Sequence, residues 1–402
     1  MIERIEELQE RVRPAAADER ERAREAVRAL ARPRLTGSEE AAEVETELRE
    51  RFTGLGYEIR EMPFSFSALP GRFGVPVIGA IAVIGFGLAT LFIGLGAPLA
   101  ALIILIAALL LAVAVGFAGG WMMRRLPWGR LDTANWLVHR PGASPRLLVM
   151  AHRDSKSQMV PILFRSLGAV ATGLAWTALV IVAAVAWTTD VEVTGVAVVL
   201  LVVGILAALP LLLSWSGNRS PGALDNATGL ATLLGLAQRL KDDPEVAFLV
   251  TDGEELGLAG ARDVAARLPR VEGIVNIDGI DDDGSFLILD RHGVPPRGYA
   301  PHLSNSLFSA ARLLDLPVER RSLPIGIRVD HLPLVAEGHA ALTLMRGRRS
   351  SLMRVHLAGD DVDATSGRGV ADAVALVEGA LAIRRTPFAS ADGTLPEGLR
   401  PR

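Results

Sequence analysis

The chain has 402 residues, a net charge of -3 and an apolar fraction of 50%, and its mean hydropathy is +0.34; soluble proteins rarely combine such values, so part of the chain is expected in a membrane. Its basic residues form no stripe, which leaves nucleic acid without an electrostatic footprint. Cysteine is absent, so disulfides, thiolate metal sites and cysteine nucleophiles are excluded, and any metal must be held by His, Asp and Glu.

The first 30 residues are densely charged with a helical period, and the first long apolar run follows Arg72. That order does not fit a signal peptide. Residues 1–72 read as N-terminal helices and a first strand: Glu43 to Phe66 is a helix, a glycine turn and a strand. Residues 73–120 are uncharged and broken only by the turn-like Gly94 to Pro98; each half is about 20 residues, enough to cross a hydrocarbon core of about 30 Å. This predicts a transmembrane hairpin. Residues 121–165 carry the strand-like TANWLVHR and SPRLLVMAH. Residues 166–215 predict a second hairpin, from Ser166 to Trp187 and from Thr194 to Trp215. Trp121, Trp128, Trp187 and Trp215 sit near the run ends, as interfacial aromatics do. Residues 216–386 hold an amphipathic helix, Asp225 to Leu240, and strands in PEVAFLVTD and VEGIVNIDGI, and 387–402 read as a loose tail. Strands alternating with helices predict an α/β fold, a mostly parallel central sheet with helices on both faces. Ligand groups then gather at the carboxyl ends of the strands.

Arg72, Arg124, Arg125, Arg130, Arg165 and Arg219 flank one side of the hairpins, whereas the second hairpin loop carries Asp190 and Glu192. By the positive-inside rule, the segments outside the hairpins face the cytoplasm of a bacterial-type inner membrane. The span interiors offer only hydroxyls such as Thr90, Thr172 and Thr177, which argues against a transporter.

The predicted strand ends repeat one kind of residue. LLVMAHRDS ends with His152 and Asp154, SPGALDNATG places Asp225 before a helix, VAFLVTDGEE ends with Glu254 and Glu255, and VNIDG ends with Asp278. Later come Asp330 and His331 in VDHLPL and His356 in RVHLAGDD. Acids converging in a low-dielectric pocket repel one another, and burial raises their pKa values until some are neutral. Divalent cations remove that conflict. Imidazoles and carboxylates without thiolate suit zinc best, while manganese or cobalt also fit. Where a strand runs into a turn, neighbouring side chains diverge, so Glu255 can reach a metal while Glu254 faces a water shared between two ions.

AHRDS, GALDNATG, GEELGLAGAR, NIDG, DHLPL and HLAGDD resemble the ordered motif set of the co-catalytic zinc aminopeptidases, the family that also includes glutamate carboxypeptidase and the glutaminyl cyclases. The resemblance runs from about Arg32 to Ile383 across the segments outside the hairpins. It implies two divalent cations, most simply Zn2+, and a zinc exopeptidase fold carrying two inserted transmembrane hairpins. His152 and Asp278 would hold one ion, Glu255 and His356 the other, and Asp225 would bridge them. Glu254 would be the general base, Asp154 would orient His152, and Asp330 and His331 would lie beside the substrate, with His331 a candidate oxyanion donor. His331 competes with His356 as the last ligand, and the HxxxDD context favours His356.

The implied activity is removal of N-terminal residues from peptides. Dipeptide cleavage, carboxypeptidase action, glutaminyl cyclisation and a non-catalytic membrane scaffold are the alternatives, and the oligomeric state stays open. Two departures stand out. Val355 precedes the last histidine where the family often carries a tyrosine, so His331, Tyr299 or a backbone group must replace that donor or catalysis is slow; the only other tyrosine is Tyr57. The second departure is the hairpin between Asp154 and Asp225, in place of a short loop. Asn226 is expected to brace the turn and Gly229 to allow close packing. Asp252, Asp281, Asp282 and Asp283 read as solvated turn acids, and His139, His292, His302 and His339 receive no role.

Overall fold

A computed structural model describes residues 15–324, 326–348 and 350–385; the opening 1–14 and the tail 387–402 lie outside the described residues. The chain forms two units, one built from the segment up to Ser65, Leu131–Lys156 and the segment from Asn218 onward, the other from Phe66–Arg130 and Ser157–Gly217.

The first unit begins with α1 (Ala17–Leu30) and α2 (Glu39–Gly54), the latter started by Ser38, whose hydroxyl accepts from the Ala41 N–H. β1 (Glu58–Ser67), β2 (Arg130–His139), β3 (Leu147–His152), β4 (Val246–Thr251), β5 (Gly273–Ile280), β6 (Ser285–His292), β7 (Arg297–Gly298), β8 (Val318–Ser322) and β9 (Ala341–Gly347) make one sheet. Its order among the described residues is β1-β2-β4-β3-β5-β9-β6-β7, with β8 paired to β6. The four central strands β4, β3, β5 and β9 are parallel, whereas β2 against β4 and β6 against β9 are antiparallel. The sheet is therefore mixed, parallel where a ligand crevice needs strand carboxyl ends side by side.

Period-two patterning explains the covering on both faces. Leu147, Val149 and Ala151 of β3 and Val246, Phe248 and Val250 of β4 join α1, α2, α7 (Thr228–Arg239), α9 (Pro301–Leu313) and α11 (Arg368–Arg385) in one core. The alternate residues Leu148, Met150, Ala247 and Leu249 pack with Val264 of α8 (Ala259–Ala265) and Leu334 of α10 (His331–Ala336). Strands buried on both faces read as continuous apolar runs, as β3, β4 and β5 do. Tyr57 belongs to the first core: its ring meets both Phe52 and Phe248 edge-on and its hydroxyl donates to the Ala237 carbonyl at 3.0 Å.

The second unit is four helices, α3 (Leu69–Gly94), α4 (Pro98–Arg125), α5 (Ile162–Thr188) and α6 (Thr194–Leu212), each long and apolar enough to cross a membrane. The last ends at Leu212, before Trp215, with Pro210 inside its final turn and the Leu213 N–H closing on the Leu209 carbonyl. Each hairpin closes on itself. Ala68 donates to the Gly129 carbonyl at 2.8 Å at the ends of the first, and Ser157 and Gly217 exchange both backbone hydrogen bonds at the ends of the second. Between helices the contacts fall on small residues: a Cβ at Gly204 would lie 2.6 Å from the Phe86 ring and one at Gly85 2.5 Å from Trp176. Phe86 and Trp176 themselves meet edge to face at 5.1 Å.

Gly204→Leu should therefore lower the unfolding midpoint of detergent-purified protein through overpacking of about 1–3 kcal/mol. Gly173→Leu is the comparison, since nothing lies within 4 Å of a Cβ there. Equal loss in both variants would show that close helix approach at Gly204 does not matter.

Candidate metal centre

Each polar group at the sheet's carboxyl edge is delivered by a local device. His152 is the last residue of β3 and is buried. Asp278 lies in β5, where the register against β9 shifts between Ile277 and Ile280 and Gly279 takes φ +74; such an irregularity re-aims a side chain. Beyond β4, Gly253 at φ +71 turns the chain, and the Asp154 carboxylate accepts the N–H groups of Glu254 and Glu255, each at 3.1 Å. His356 sits in a loop after β9 with φ +67, in the left-handed region.

Asp225 does not start a helix as the sequence predicts; it lies in a tight turn, Ala223–Ala227, with non-helical φ -117 and ψ 88, and its peptide bond to Asn226 is cis. The helix α7 begins only at Thr228 because side-chain bonds hold the turn open. Asp360 accepts from the N–H groups of Leu224 (2.7 Å) and Asp225 (3.2 Å). Asn226 accepts from Gly229 and Gly279 and donates to the Ile277 carbonyl, and a Cβ at Gly229 would lie 2.2 Å from its Oδ1. Gly222, at φ +58, leaves no room for a side chain: a Cβ would lie 2.4 Å from the Asp225 carbonyl.

These devices bring the five proposed ligands together. His152 Nε2 lies 3.1 Å from Asp225 Oδ1 and 3.9 Å from Asp278 Oδ1. His356 Nε2 lies 3.1 Å from Asp225 Oδ2 and 3.2 Å from Glu255 Oε2. The two oxygens of one carboxylate thus face two different imidazoles. His152, Asp225 and Asp278 form one group, and Asp225, Glu255 and His356 a second, each with ligand atoms within 4.8 Å of one another. A divalent cation fits them: His152 Nε2 and Glu255 Oε1 are buried without a hydrogen-bond partner, and the donors are nitrogens and carboxylate oxygens of the kind zinc takes. His152 Nδ1 lies 3.1 Å from the Asp154 carbonyl and 3.5 Å from its Oδ1, so the other ring nitrogen is the one aimed at Asp225.

The field of the cluster shows what it lacks. Burial works against a charged His152, yet Asp154, Asp225 and Asp278 outweigh it and raise the imidazole well above its ordinary value. Burial likewise opposes charge on His356, and Glu255 and Asp225 raise it. Burial would lift Glu255, but His356 and Lys156 hold it at about 2. At Glu254 the balance falls the other way, because burial and the neighbouring acids raise it by more than His152 lowers it. Burial, with Glu255, Asp330 and Asp278 nearby, raises its proton affinity well above that of a free carboxylate. The surrounding acids thus favour positive charge at this spot.

Asp330 and His331 start α10. Asp330 is buried, accepts from Thr251 at 2.5 Å and is pushed up to about 7 by burial, with Asp154 and Asp278 adding to it. His331 is not among the ligand groups; burial holds it neutral, at about 3. Its Nδ1 lies 2.6 Å from Thr343 Oγ1, which also accepts from Asn276 at 3.0 Å, and its Nε2 has no partner. Tyr299 stacks on His292 at 4.3 Å, and His292 lies 6.1 Å from His331.

Residues 209–380 match the family model of peptidase family M28. The match includes Asp225, Glu254, Glu255, Asp278, His331 and His356, while His152 and Asp154 precede it. No curated protein matches the chain. Solved structures similar to it include the Fimbriiglobus ruber glutaminyl cyclase (TM-score 0.54, 18% identity, 90% of this chain and 94% of that one) and the aminopeptidase from Aneurinibacillus sp. strain AM-1 (TM-score 0.52, 12% identity, 94% and 95%). A third is the Porphyromonas gingivalis glutaminyl cyclase (TM-score 0.53, 15% identity, 91% and 98%). At such identities the likeness establishes the fold, the zinc exopeptidase fold expected from the motifs.

Three residues around the site escape sequence reading. Lys156 places Nζ 2.6 Å from Glu255 Oε2. Asp360 holds the Asp225 turn, and its place in HLAGDD was a signal for it. Arg34, fully buried, donates to the carbonyls of Arg153 (2.7 Å), Pro221 (2.5 Å) and Gly222 (2.9 Å), tying the His152 and Asp225 loops together. Burial lowers it to about 10 despite the surrounding acids, so it stays charged. Two turn acids are not solvated. Asp252 is buried, accepting from Thr36 and Thr133 and facing Arg153 at 3.5 Å; Asp281 is buried and takes Ser351 and Arg354. Asp282 is half-buried and accepts from the Gly369 N–H at the start of α11, whereas Asp283 is exposed beside Arg368.

Arg34→Met should reduce zinc affinity of the M28 domain by about 10–100-fold, the range of losses when groups supporting ligands are removed. Arg34→Lys should not restore it, because an ammonium cannot span three carbonyls as a planar fork does. Competition with a zinc indicator measures both; unchanged affinity in the Met variant would refute the tie. Chelation should lower the unfolding midpoint and excess zinc restore it, by about 4 kcal/mol at 1,000 times the dissociation constant. An unmoved midpoint would count against a bound metal.

Proposed function

We propose that the protein is a membrane-embedded zinc exopeptidase that removes N-terminal residues from peptides. The observation that carries this reading is Asp225, whose two oxygens each face a different histidine at 3.1 Å. His152, Asp225 and Asp278 would hold one ion and Asp225, Glu255 and His356 the other. Bound ions of this kind polarise a carbonyl and make water nucleophilic near neutral pH.

The remaining chemistry belongs to the chain. Glu254 is held by its own N–H on Asp154 and carries no ligand role; its raised proton affinity suits it to take the proton of the attacking water and pass it to the leaving amine. Two tautomers satisfy His331 Nδ1 against Thr343 Oγ1; in the one where Thr343 donates its proton, Nε2 carries hydrogen, and because Nε2 has no partner, that tautomer supports His331 as the donor to a developing oxyanion in place of the missing tyrosine. The aminopeptidase reading is supported by the ordered motif set shared with the co-catalytic zinc aminopeptidases.

Membrane residence is supported by the four helices of 26, 28, 27 and 19 residues with mean window hydropathies of 2.2 to 3.1. Arg72, Arg124, Arg125 and Arg165 at their ends support a cytoplasmic M28 domain in an inner membrane.

Detergent-purified protein should hydrolyse aminoacyl substrates with a free amine and leave N-blocked ones intact. Glu254→Gln should keep its metal and lose at least about 10²-fold in kcat. Equal turnover in both proteins would refute the base. Ammonia release from N-terminal glutaminyl peptides without chain cleavage would move the reading to cyclisation. A reporter fused to the C-terminus should be active in the cytoplasm, and activity only outside would reverse the orientation.

A further inference from the structure

Large apolar side chains stand exposed at three places among the described residues of the sheet unit: Val294, Ile327 and Met353. Two of these belong together. β6 and β8 run parallel with Arg291 opposite Ser322, and the Leu323 N–H donates to the Arg291 carbonyl at 2.8 Å, so the loops that follow them leave the sheet side by side. The first carries Val294, 82% exposed, with Pro295 and Pro296 exposed after it, and the second carries Ile327, 43% exposed. Their bases are fixed. Tyr299 stacks on His292 where the first loop begins and ends, and Leu323 and Val329 pack with Leu289 at the two ends of the second. Apolar tips held up on fixed bases are unfavourable in water and call for a cover.

Charge indicates what the cover is. Within the two strands the arginines are paired, Arg291 with Asp290 and Arg321 with Glu319. Beside the apolar tips, Arg297 and Arg328 are exposed and take part in no ion pair among the described residues. Apolar tips flanked by unpaired arginines match the surface of an anionic bilayer, where the acyl boundary takes the apolar groups and lipid phosphates take the guanidinium groups. A chain whose own four helices are long and apolar enough to cross a membrane meets that surface in every copy.

We propose that the loops after β6 and β8 form a membrane-docking surface: Val294 and Ile327 enter the boundary between headgroups and acyl chains, while Arg297 and Arg328 bind the phosphates of anionic lipids. This rests on the membrane reading above and adds a second, reversible lipid contact to it. The loop after β8 runs directly into Asp330 and His331, so docking steadies the segment that delivers them.

The chain has no cysteine, so a single introduced thiol reports one position. Full-length Val294→Cys and Ile327→Cys, each carrying a polarity-sensitive fluorophore, are placed in nanodiscs of phosphatidylcholine with or without phosphatidylglycerol, and quenching by nitroxide-labelled lipid gives the ratio of docked to free loop. Phe117→Cys, at a position 87% exposed on α4, is the reference for the helices. Both loop labels should be quenched in discs that contain phosphatidylglycerol. Arg297→Gln and Arg328→Gln should each lower the docked-to-free ratio by about fivefold, and omitting phosphatidylglycerol should lower it at least as much. A quenched Phe117→Cys label beside unquenched loop labels would overturn the docking surface and leave membrane residence standing. Loop labels that respond to an added aminoacyl peptide and not to lipid would overturn it as well and assign the loops to substrate. Quenching indifferent to both arginines and to phosphatidylglycerol would refute the part given to anionic lipid. An unquenched Phe117→Cys label would overturn membrane residence and the docking surface together.

Discussion

Everything at the carboxyl edge of the sheet depends on one shared carboxylate. Asp225 is largely buried, and its oxygens are divided between His152 and His356. A carboxylate in that position must stay ionised, and its two histidines hold it well below the usual range although burial pushes the other way. Holding it there takes an unusual backbone. The turn has non-helical dihedrals between a left-handed glycine and a regular helix, and Asp360, Asn226 and Arg34 each bind its backbone or the loops beside it. None of the three touches a reacting group, yet each fixes where one does.

The cluster also shows why burial alone does not decide protonation. Glu254 and Glu255 are adjacent in sequence, both deep in protein, and both anchored by backbone N–H groups on Asp154. Their proton affinities move in opposite directions because His356 and Lys156 outweigh burial at Glu255, whereas at Glu254 burial and the acids Glu255, Asp330 and Asp278 outweigh His152. Environments that push two carboxyl groups apart suit one to hold charge and the other to carry a proton. Side-chain direction out of one turn produces that division.

The central strands and the clustering of the proposed ligands were legible in the sequence because β3, β4 and β5 are apolar runs buried on both faces and end in charged residues. Patterning failed where tertiary context takes over. β6, β8 and β9 give no clear period, since β6 and β8 flank the parallel centre and β9 owes its burial to β5. The Asp225 turn reads as a helix because Asp before an amphipathic run is an ordinary N-terminal signal; only the cross-chain bonds from Asp360 and Asn226 override it. Arg34 is invisible in the same way. Its partners are backbone carbonyls from segments distant in sequence, and a carbonyl leaves no mark in a pattern of residue types. Asp252 and Asp281 were misjudged because a turn acid is solvated by default, and burial by Arg153 or Ser351 depends on those same long-range contacts.

The helical unit inverts the arrangement of the sheet unit. Its interior is lined mostly by small residues, Ala82, Ala89, Ala101, Ala175, Ala183 and Ala197, with Phe86, Ile93, Leu105 and Leu179 as the large side chains. The large apolar residues point outward: Phe117 is 87% exposed, and Leu110, Leu174 and Leu206 are exposed as well. In water that distribution would forfeit most of the hydrophobic driving force, because the surface that should be hidden is the surface displayed. In lipid no such force exists between helices, and close backbone approach at small residues is what holds them together. The same logic accounts for the closed hairpin ends. When entry and exit strands are joined by backbone hydrogen bonds, as at Ala68 and Gly129 or Ser157 and Gly217, a long insertion leaves the chain where it departed, so a peptidase sheet can carry two apolar hairpins without altering its strand order.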